Sequence, residues 1–394
     1  MKYYIISGEA SGDLHGSNLI KELHKLDSDA HIRCWGGDLM QEAGATLVKH
    51  YRELAFMGFA EVIQNINTIF KNIAFCKKDI LANRPDVLIL IDYPGFNLRI
   101  AKWARAQGIK IVYYISPQIW AWKENRIHSI KKNVDKMLVI LPFEKDFYAK
   151  WNFDAEYVGH PLVQVIDDFR KLKGERSMLN GQWSMVNGEN SLTNVSMTND
   201  IKKNNSSKII ALLPGSRQQE ILKKLPIMLQ VAKHFPDYHF IVAKAPGLPD
   251  NFYTTLLAPF SNVGAVVNKT YELLSQSEAA LVTSGTATLE TALFGVPEVI
   301  CYKGNRISYH IARRLIKIKY IGLVNLIMDK EVVKELIQDD LTVENLVAEL
   351  KKLLYDEDKK AQLKKDYADL NTLLSAGGHA SANAAKSIYT MMSI

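Results

Sequence analysis

Short runs of β-branched and aliphatic residues alternate with segments of helical spacing through the first part of the chain. The runs are residues 3–7, 32–35, 87–91, 110–115 and 137–141. Strands that are apolar on both faces belong in parallel sheets covered by helices, so the alternation predicts βαβ units. The pattern stops in a polar stretch, 171–207, which holds seven Asn and reads as a linker or inserted loop, with Trp183 as a residue that can pack. It resumes at 208–213, 238–243, 264–267, 279–283 and 296–301. From Glu331 onward the chain reads as helices only, with Leu346, Leu350, Leu353 and Leu354 at three-to-four spacing.

A length of 394 residues exceeds what one hydrophobic core usually serves. The expected fold class is therefore α/β, with two doubly wound, Rossmann-like domains facing one another across a cleft at the carboxyl ends of their strands. The expected boundaries are a first domain at 1–170, the polar stretch at 171–207, a second domain at 208–375, and a terminal helix at 376–394 that returns to the first domain.

Candidate chemistry clusters where strands end. After the first strand, Ser7-Gly8-Glu9-Ala10-Ser11-Gly12-Asp13-Leu14-His15-Gly16 makes a small-residue turn into a helix. Such a helix start suits an anion or sugar hydroxyls, although glycines also serve ordinary βα turns. The turn is neither a GxGxxG fingerprint nor a GxSxG elbow. Asp92 ends the third run, in Asp92-Tyr93-Pro94-Gly95-Phe96-Asn97. Partial burial would make it a general base, and an N-cap on the following helix is the alternative. Trp120 and Trp122, in Ile115-Ser116-Pro117-Gln118-Ile119-Trp120-Ala121-Trp122, suggest a sugar or acyl platform or else packing between domains.

In the second half, Leu212-Leu213-Pro214-Gly215-Ser216-Arg217 precedes a helix and places Arg217 where it can clamp a diphosphate or simply lie in solvent. Thr283-Ser284-Gly285-Thr286-Ala287-Thr288-Leu289-Glu290 again joins strand to helix. Its N–H groups suit phosphate, and Glu290 can accept hydrogen bonds from ribose hydroxyls.

Composition narrows the picture. With 49 Lys+Arg against 42 Asp+Glu, the net charge of +7 favours anionic partners such as phospholipid surfaces or phosphorylated substrates. No RNA-binding motif accompanies it, so nucleic acid is not an expected partner. Three scattered cysteines, Cys34, Cys76 and Cys301, suggest neither disulfides nor zinc, and a reducing cytoplasm fits. The histidines are dispersed, no HExxH occurs, and Asp27-Ser28-Asp29 follows a helix rather than a strand. Neither a metal nor a cofactor is expected. The N-terminus reads as a strand, not a signal peptide, and no apolar stretch reaches the ~20 residues of a membrane-spanning helix. Membrane contact is thus expected to be peripheral. Its candidate is the segment 62–78, where Ile63, Ile66, Phe70 and Ile73 recur at helical spacing, Ile69 widens the stripe, and Lys71, Lys77 and Lys78 follow. Packing of that face on a sheet is the alternative, and the basic segment 313–319 is a second place for membrane attachment.

SGEASGDLHG at 7–16, MGFAEV at 57–62, IDYPGFN at 91–97, ISPQIWAWKENR at 115–126, LPFE at 141–144, VGHPL at 158–162, LLPGSR at 212–217 and SGTATLE at 284–290 together resemble the lipid-A-disaccharide synthase family. The resemblance runs in order along nearly the whole chain. Only the polar stretch 171–207 departs from the family pattern, by its length. It implies a GT-B fold and an inverting glycosyltransferase of lipid A biosynthesis at the cytoplasmic face of the inner membrane. The implied donor is UDP-2,3-diacylglucosamine and the acceptor 2,3-diacylglucosamine 1-phosphate, giving a β-1,6-linked disaccharide phosphate and UDP. Asp92 would be the base and Arg217 a catalytic stabiliser of the leaving group. Ser216, Arg217, Ser284, Gly285, Thr286, Ala287, Glu290 and Asn325 would bind the nucleotide sugar, with Gly8, Glu9, Ser11, Gly12 and His15 on the acceptor side. Ile66, Ile69, Phe70 and Ile73 would touch an anionic membrane. Self-association stays open. A GT-B enzyme acting on soluble UDP-GlcNAc and a non-enzymatic nucleotide-sugar binding protein are the alternatives.

Overall fold

The computed structural model describes residues 1–54, 66–175, 184–185, 208–245, 247–305, 309 and 318–393. The MGFAEV motif, Trp183 and most of the basic segment 313–319 lie outside the described residues. Two compact units result, one formed by 1–164 with 373–394 and the other by 165–372.

In the first unit, strands β1 (Lys2–Ser7), β2 (His31–Gly36), β3 (Thr46–His50), β4 (Val87–Ile91), β5 (Lys110–Tyr114), β6 (Lys136–Val139) and β7 (Ala155–Tyr157) form one parallel sheet in the order β3-β2-β1-β4-β5-β6-β7. The helices on its faces are α1 (Ala10–Leu26), α2 (Asp38–Glu42), α3 (Ile66–Asn83), α4 (Pro94–Ala106), α5 (Ile119–Trp122), α6 (Ile127–Asn133) and α7 (Pro142–Ala149). Alternate residues of the central strands feed two cores. Tyr4, Ile6, Leu88 and Leu90 pack with α3 and α4, while Tyr3, Ile5, Ile89 and Ile91 pack with α1 and the terminal helix.

The chain leaves this unit within α8 (Pro161–Glu175) and returns within α15 (Glu357–Ser375), which leads into α16 (Ala380–Met392). Gly159 sits so tightly against the 377–378 backbone that a Cβ there would lie 2.7 Å from the Gly378 carbonyl oxygen. Both crossings fall inside helices, at 164/165 and 372/373, rather than at composition shifts.

The second unit contains β8 (Ser184–Met185), β9 (Ile209–Leu213), β10 (His239–Lys244), β11 (Val263–Val267), β12 (Ser277–Thr283), β13 (Glu298–Tyr302) and β14 (Lys334–Ile337), in the order β14-β13-β12-β9-β10-β11-β8. All pair in parallel except β8, which runs antiparallel to β11. Its helices include α9 (Gln218–Val231), α10 (Asp250–Leu257), α11 (Thr270–Leu274), α12 (Thr286–Leu293), α13 (Leu323–Met328) and α14 (Val343–Tyr355).

Strand β14 corrects the expectation of helices alone after Glu331. Lys334-Glu335-Leu336-Ile337 is half-exposed at a sheet edge, so only Leu336 needs to be apolar and no run marks it. The polar stretch 171–207 likewise contributes the end of α8 and the short β8.

The strand order reverses between β1 and β4 in the first unit and between β9 and β12 in the second. Open α/β sheets bind ligands outside the strand ends at such switch points. Ser7 pairs with Ile91, so Gly8-Glu9 and Asp92 leave the first sheet side by side. Leu213 pairs with Val282, so 214–217 and 284–287 do the same in the second.

Candidate active site at two switch points

Asp92 and Tyr93 both have left-handed backbone, with φ of 42° and 48°, and Ile115 at the end of the neighbouring strand has φ of 64°. Non-glycine residues held there cost about 1–3 kcal/mol each and persist where their surroundings over-determine them. Here the constraint is visible. The Asp92 carbonyl accepts from Tyr113 Oη at 2.6 Å and from Asn97 Nδ2 at 2.7 Å, and the Asp92 N–H donates to the Ile115 carbonyl at 3.2 Å. Asn97 also donates to the Ile91 carbonyl at 3.2 Å, and both Asn97 and Tyr113 are fully buried.

This geometry bears on the N-cap reading of Asp92. The N-cap of α4 is Tyr93, so the Asp92 carboxyl is not used as a helix cap. Burial, reinforced by the charge of Glu9, raises its pKa to about 7, against a smaller opposing hydrogen bond from the Tyr93 N–H. A carboxyl titrating there is matched to proton abstraction near neutral pH.

The glycines of the first turn are demanded by close approach. A Cβ on Gly8 would lie 2.4 Å from the Tyr93 ring, and one on Gly12 would lie 2.2 Å from Ser7 Oγ. Of the acceptor-side residues, Glu9 is half-buried and Ser11 exposed, whereas Gly8, Gly12 and His15 are buried. His15 is held neutral by burial, with its pKa lowered to about 4, and its Nδ1 has no hydrogen-bond partner. It therefore offers no cation near neutral pH.

Two residues here carry roles that the sequence did not reveal. Glu144, in the first turn of α7, is fully buried and accepts from Trp120 Nε1 and the Leu141 N–H, both at 3.1 Å. Burial raises its pKa to about 7. Its sequence signals were its place three residues after a helix cap and its position closing the LPFE motif at 141–144. Trp120 is correspondingly turned inward, edge-on to Phe143 at 4.9 Å, and so packs within its own unit.

In the second unit, Gly215 has φ of 108° and delivers Arg217 to the N-cap position of α9. The half-exposed guanidinium pairs with Glu220 at 2.9 Å, and Glu220 lies 3.8 Å from the buried Lys224. At the other strand end, Gly285 caps α12 with φ of 143°, and no atom lies within 4 Å of where its Cβ would be. Gly285 and Thr286 are exposed at the start of α12, where the first N–H groups of a helix are the ones that suit an anion. Ser284 Oγ donates to the Ile321 carbonyl at 3.1 Å. Glu290 is half-buried and accepts from Tyr271 Oη at 2.9 Å, while burial raises its pKa.

Asn325, expected beside the nucleotide sugar, has its side chain fully engaged within the protein. It is fully buried, and its Nδ2 donates to the Val333 carbonyl at 2.8 Å and to Glu335 Oε1 at 2.9 Å. Its Oδ1 accepts from the N–H groups of Val332 at 2.9 Å and Val333 at 3.0 Å. No bonding capacity is left for a nucleotide.

The membrane stripe divides. Ile73 is buried in the core and Ile69 packs against it, so these two face the sheet, which corrects their reading as membrane contacts. Phe70 is 58% exposed, and the Ile66 side chain lies outside the described atoms. No helix among the described residues is long and apolar enough to cross a membrane.

Solved structures share this architecture across the whole chain. A UDP-GlcNAc 2-epimerase from Neisseria meningitidis, bound to UDP-GlcNAc, superposes with a TM-score of 0.65 at 13% identity over 100% of both chains. The glycosyltransferase of kitacinnamycin gives 0.64 at 15% identity over 99% of both. The fold is GT-B. Sequence relatives are far closer: lipid-A-disaccharide synthases from Geobacter sulfurreducens and Geobacter metallireducens are 36% and 37% identical, covering 95% of this chain and 93% of theirs. The enzyme of that name from Coxiella burnetii is 34% identical over 98% of each chain. With the family model for lipid-A-disaccharide synthetase matching residues 3–182 and 185–390, the chain belongs to the lipid-A-disaccharide synthetase family of glycosyltransferases.

Proposed function

We propose that the protein joins UDP-2,3-diacylglucosamine to 2,3-diacylglucosamine 1-phosphate, forming the β-1,6-linked lipid A disaccharide 1-phosphate and UDP. The observation that carries the mechanism is Asp92, fixed in a strained turn at the β1/β4 switch point with its pKa raised to about 7. Asp92 takes the proton of the acceptor 6-hydroxyl as that oxygen attacks the anomeric carbon of the donor. The bond from that carbon to the UDP oxygen breaks on the opposite face, which inverts the centre without a covalent intermediate. The charge that develops on UDP is met by Arg217 and the N-terminus of α12. Acceptor activation thus belongs to the first unit and nucleotide binding to the second, with Ser216, Ser284, Gly285, Thr286, Ala287 and Glu290 around the nucleotide and Glu9 and Ser11 on the acceptor side.

The acyl chains call for a surface next to lipid. The outer face of α3 offers Phe70, Phe75 and Leu81, each about half exposed, beside the exposed Lys71 and Lys78. We propose that this face rests on the anionic cytoplasmic leaflet. The test of function is UDP release by the purified protein. It is expected only with both acylated substrates present, together with a disaccharide phosphate. Equal release from UDP-GlcNAc without acyl chains would contradict the assignment.

A further inference from the structure

The hydrogen bonds around Asn325 extend to the nucleotide end of the second unit. On β14, Glu335 accepts from the Ile321 N–H at 2.9 Å through Oε2 and from the Gly322 N–H at 2.9 Å through Oε1. Asn325 Nδ2 donates to that same Oε1 at 2.9 Å. The Ile321 carbonyl, on the other side of the same turn, accepts from Ser284 Oγ at 3.1 Å. Gly322 permits the packing, because a Cβ there would lie 2.2 Å from Ile300 Cδ1 and 3.2 Å from Glu335 Oε1. One carboxylate therefore collects three donors and fixes a turn whose carbonyl holds the first residue of the 284–287 segment.

The chemistry of Ser284 follows. Its single hydroxyl proton is committed to Ile321, so the hydroxyl has only lone pairs to offer and does not donate to a phosphate oxygen. Its work is to aim the turn, leaving phosphate recognition to the N–H groups of Gly285, Thr286 and Ala287 and to the Thr286 hydroxyl.

We infer that Glu335 is a positioning residue for the nucleoside diphosphate, acting through the 321–322 turn and Ser284 on the N-terminus of α12. The inference rests on the reading of 284–287 as the diphosphate seat. It also gives the buried Asn325, whose side-chain donors and acceptors are all taken within the protein, a part in holding the same turn.

Amide exchange in the parent protein separates the two ideas. Saturating UDP is expected to slow exchange at 284–287 and also at Ile321 and Gly322. Slowing at 284–287 alone overturns the role of Glu335, and slowing at neither segment overturns the diphosphate seat and the inference with it. A double-mutant cycle adds the energetic test. Glu335→Gln and Ser284→Ala are each expected to weaken UDP binding about tenfold, and the double variant to be no worse than the poorer single one. Losses that simply add would show that Glu335 acts elsewhere. If Glu335→Gln fails to fold, the exchange measurement still decides.

Discussion

Tyr113 Oη donates to the main-chain carbonyl of Asp92 at 2.6 Å, from the strand next to the one that Asp92 ends. The bond holds a backbone conformation, not a side chain, so its loss changes where the Asp92 carboxyl points. Tyr113→Phe is expected to cost about 1 kcal/mol of stability. Turnover should fall by roughly tenfold with UDP affinity unchanged, because misplacing a catalytic group is costly even when binding survives. Titration calorimetry with UDP beside steady-state kinetics checks this, and unchanged turnover would show that Asn97 alone suffices.

Glu9 faces Asp92 across the β1/β4 switch point, and its charge adds to burial in raising the Asp92 pKa to about 7. Activity that needs ionised Asp92 rises with pH through that value. Removing the neighbouring charge in Glu9→Gln lets Asp92 ionise earlier, so the acidic limb of kcat/KM should move to lower pH. A limb that stays in place would remove Glu9 from the electrostatics of the base.

These features were unequally legible in the sequence. The central strands were readable because strands buried on both faces are continuous apolar runs, and the residues at their ends, such as Asp92 and Arg217, became candidates by position. The edge strands β3, β7 and β14 escaped because at most one fully buried residue in each leaves no pattern. Tyr113 and Glu335 were invisible for another reason. Each acts by bonding to backbone or to residues distant in sequence, and a single chain read in order carries no sign of such partners.

The outer face of α3 provides a separate test. Phe70→Ser with Leu81→Ser alters side chains that are 58% and 49% exposed, so the fold and UDP affinity should persist. Sedimentation with anionic liposomes is expected to show binding weakened by roughly tenfold or more, since two half-exposed apolar side chains withdrawn from lipid each forfeit about half of the 1.5–3 kcal/mol of a full burial. Liposome binding equal to the parent's would place attachment on another surface.

Glu298 lies fully buried in β13 with neither carboxyl oxygen hydrogen-bonded, and burial raises its pKa well above the ordinary 4.5. Its contribution to stability is therefore fully present below about pH 4.5 and declines as the pH rises toward its folded-state value. Glu298→Gln removes this titration. The melting temperature of the variant relative to the parent should accordingly rise between pH 5 and pH 8, by about 2–4 °C for each kcal/mol recovered. A difference that stays constant with pH would mean that Glu298 keeps a partner when charged.

The turnover of Asp92→Asn, measured on protein whose UDP affinity has been determined in the same preparation, bears most directly on the mechanism. Asparagine keeps the shape of the side chain and the left-handed turn but cannot accept the acceptor's proton. Disaccharide formation is expected to fall by roughly a hundredfold or more while UDP binds as in the parent. Parent-like turnover in a folded, UDP-binding variant would contradict the assignment of Asp92 as the base.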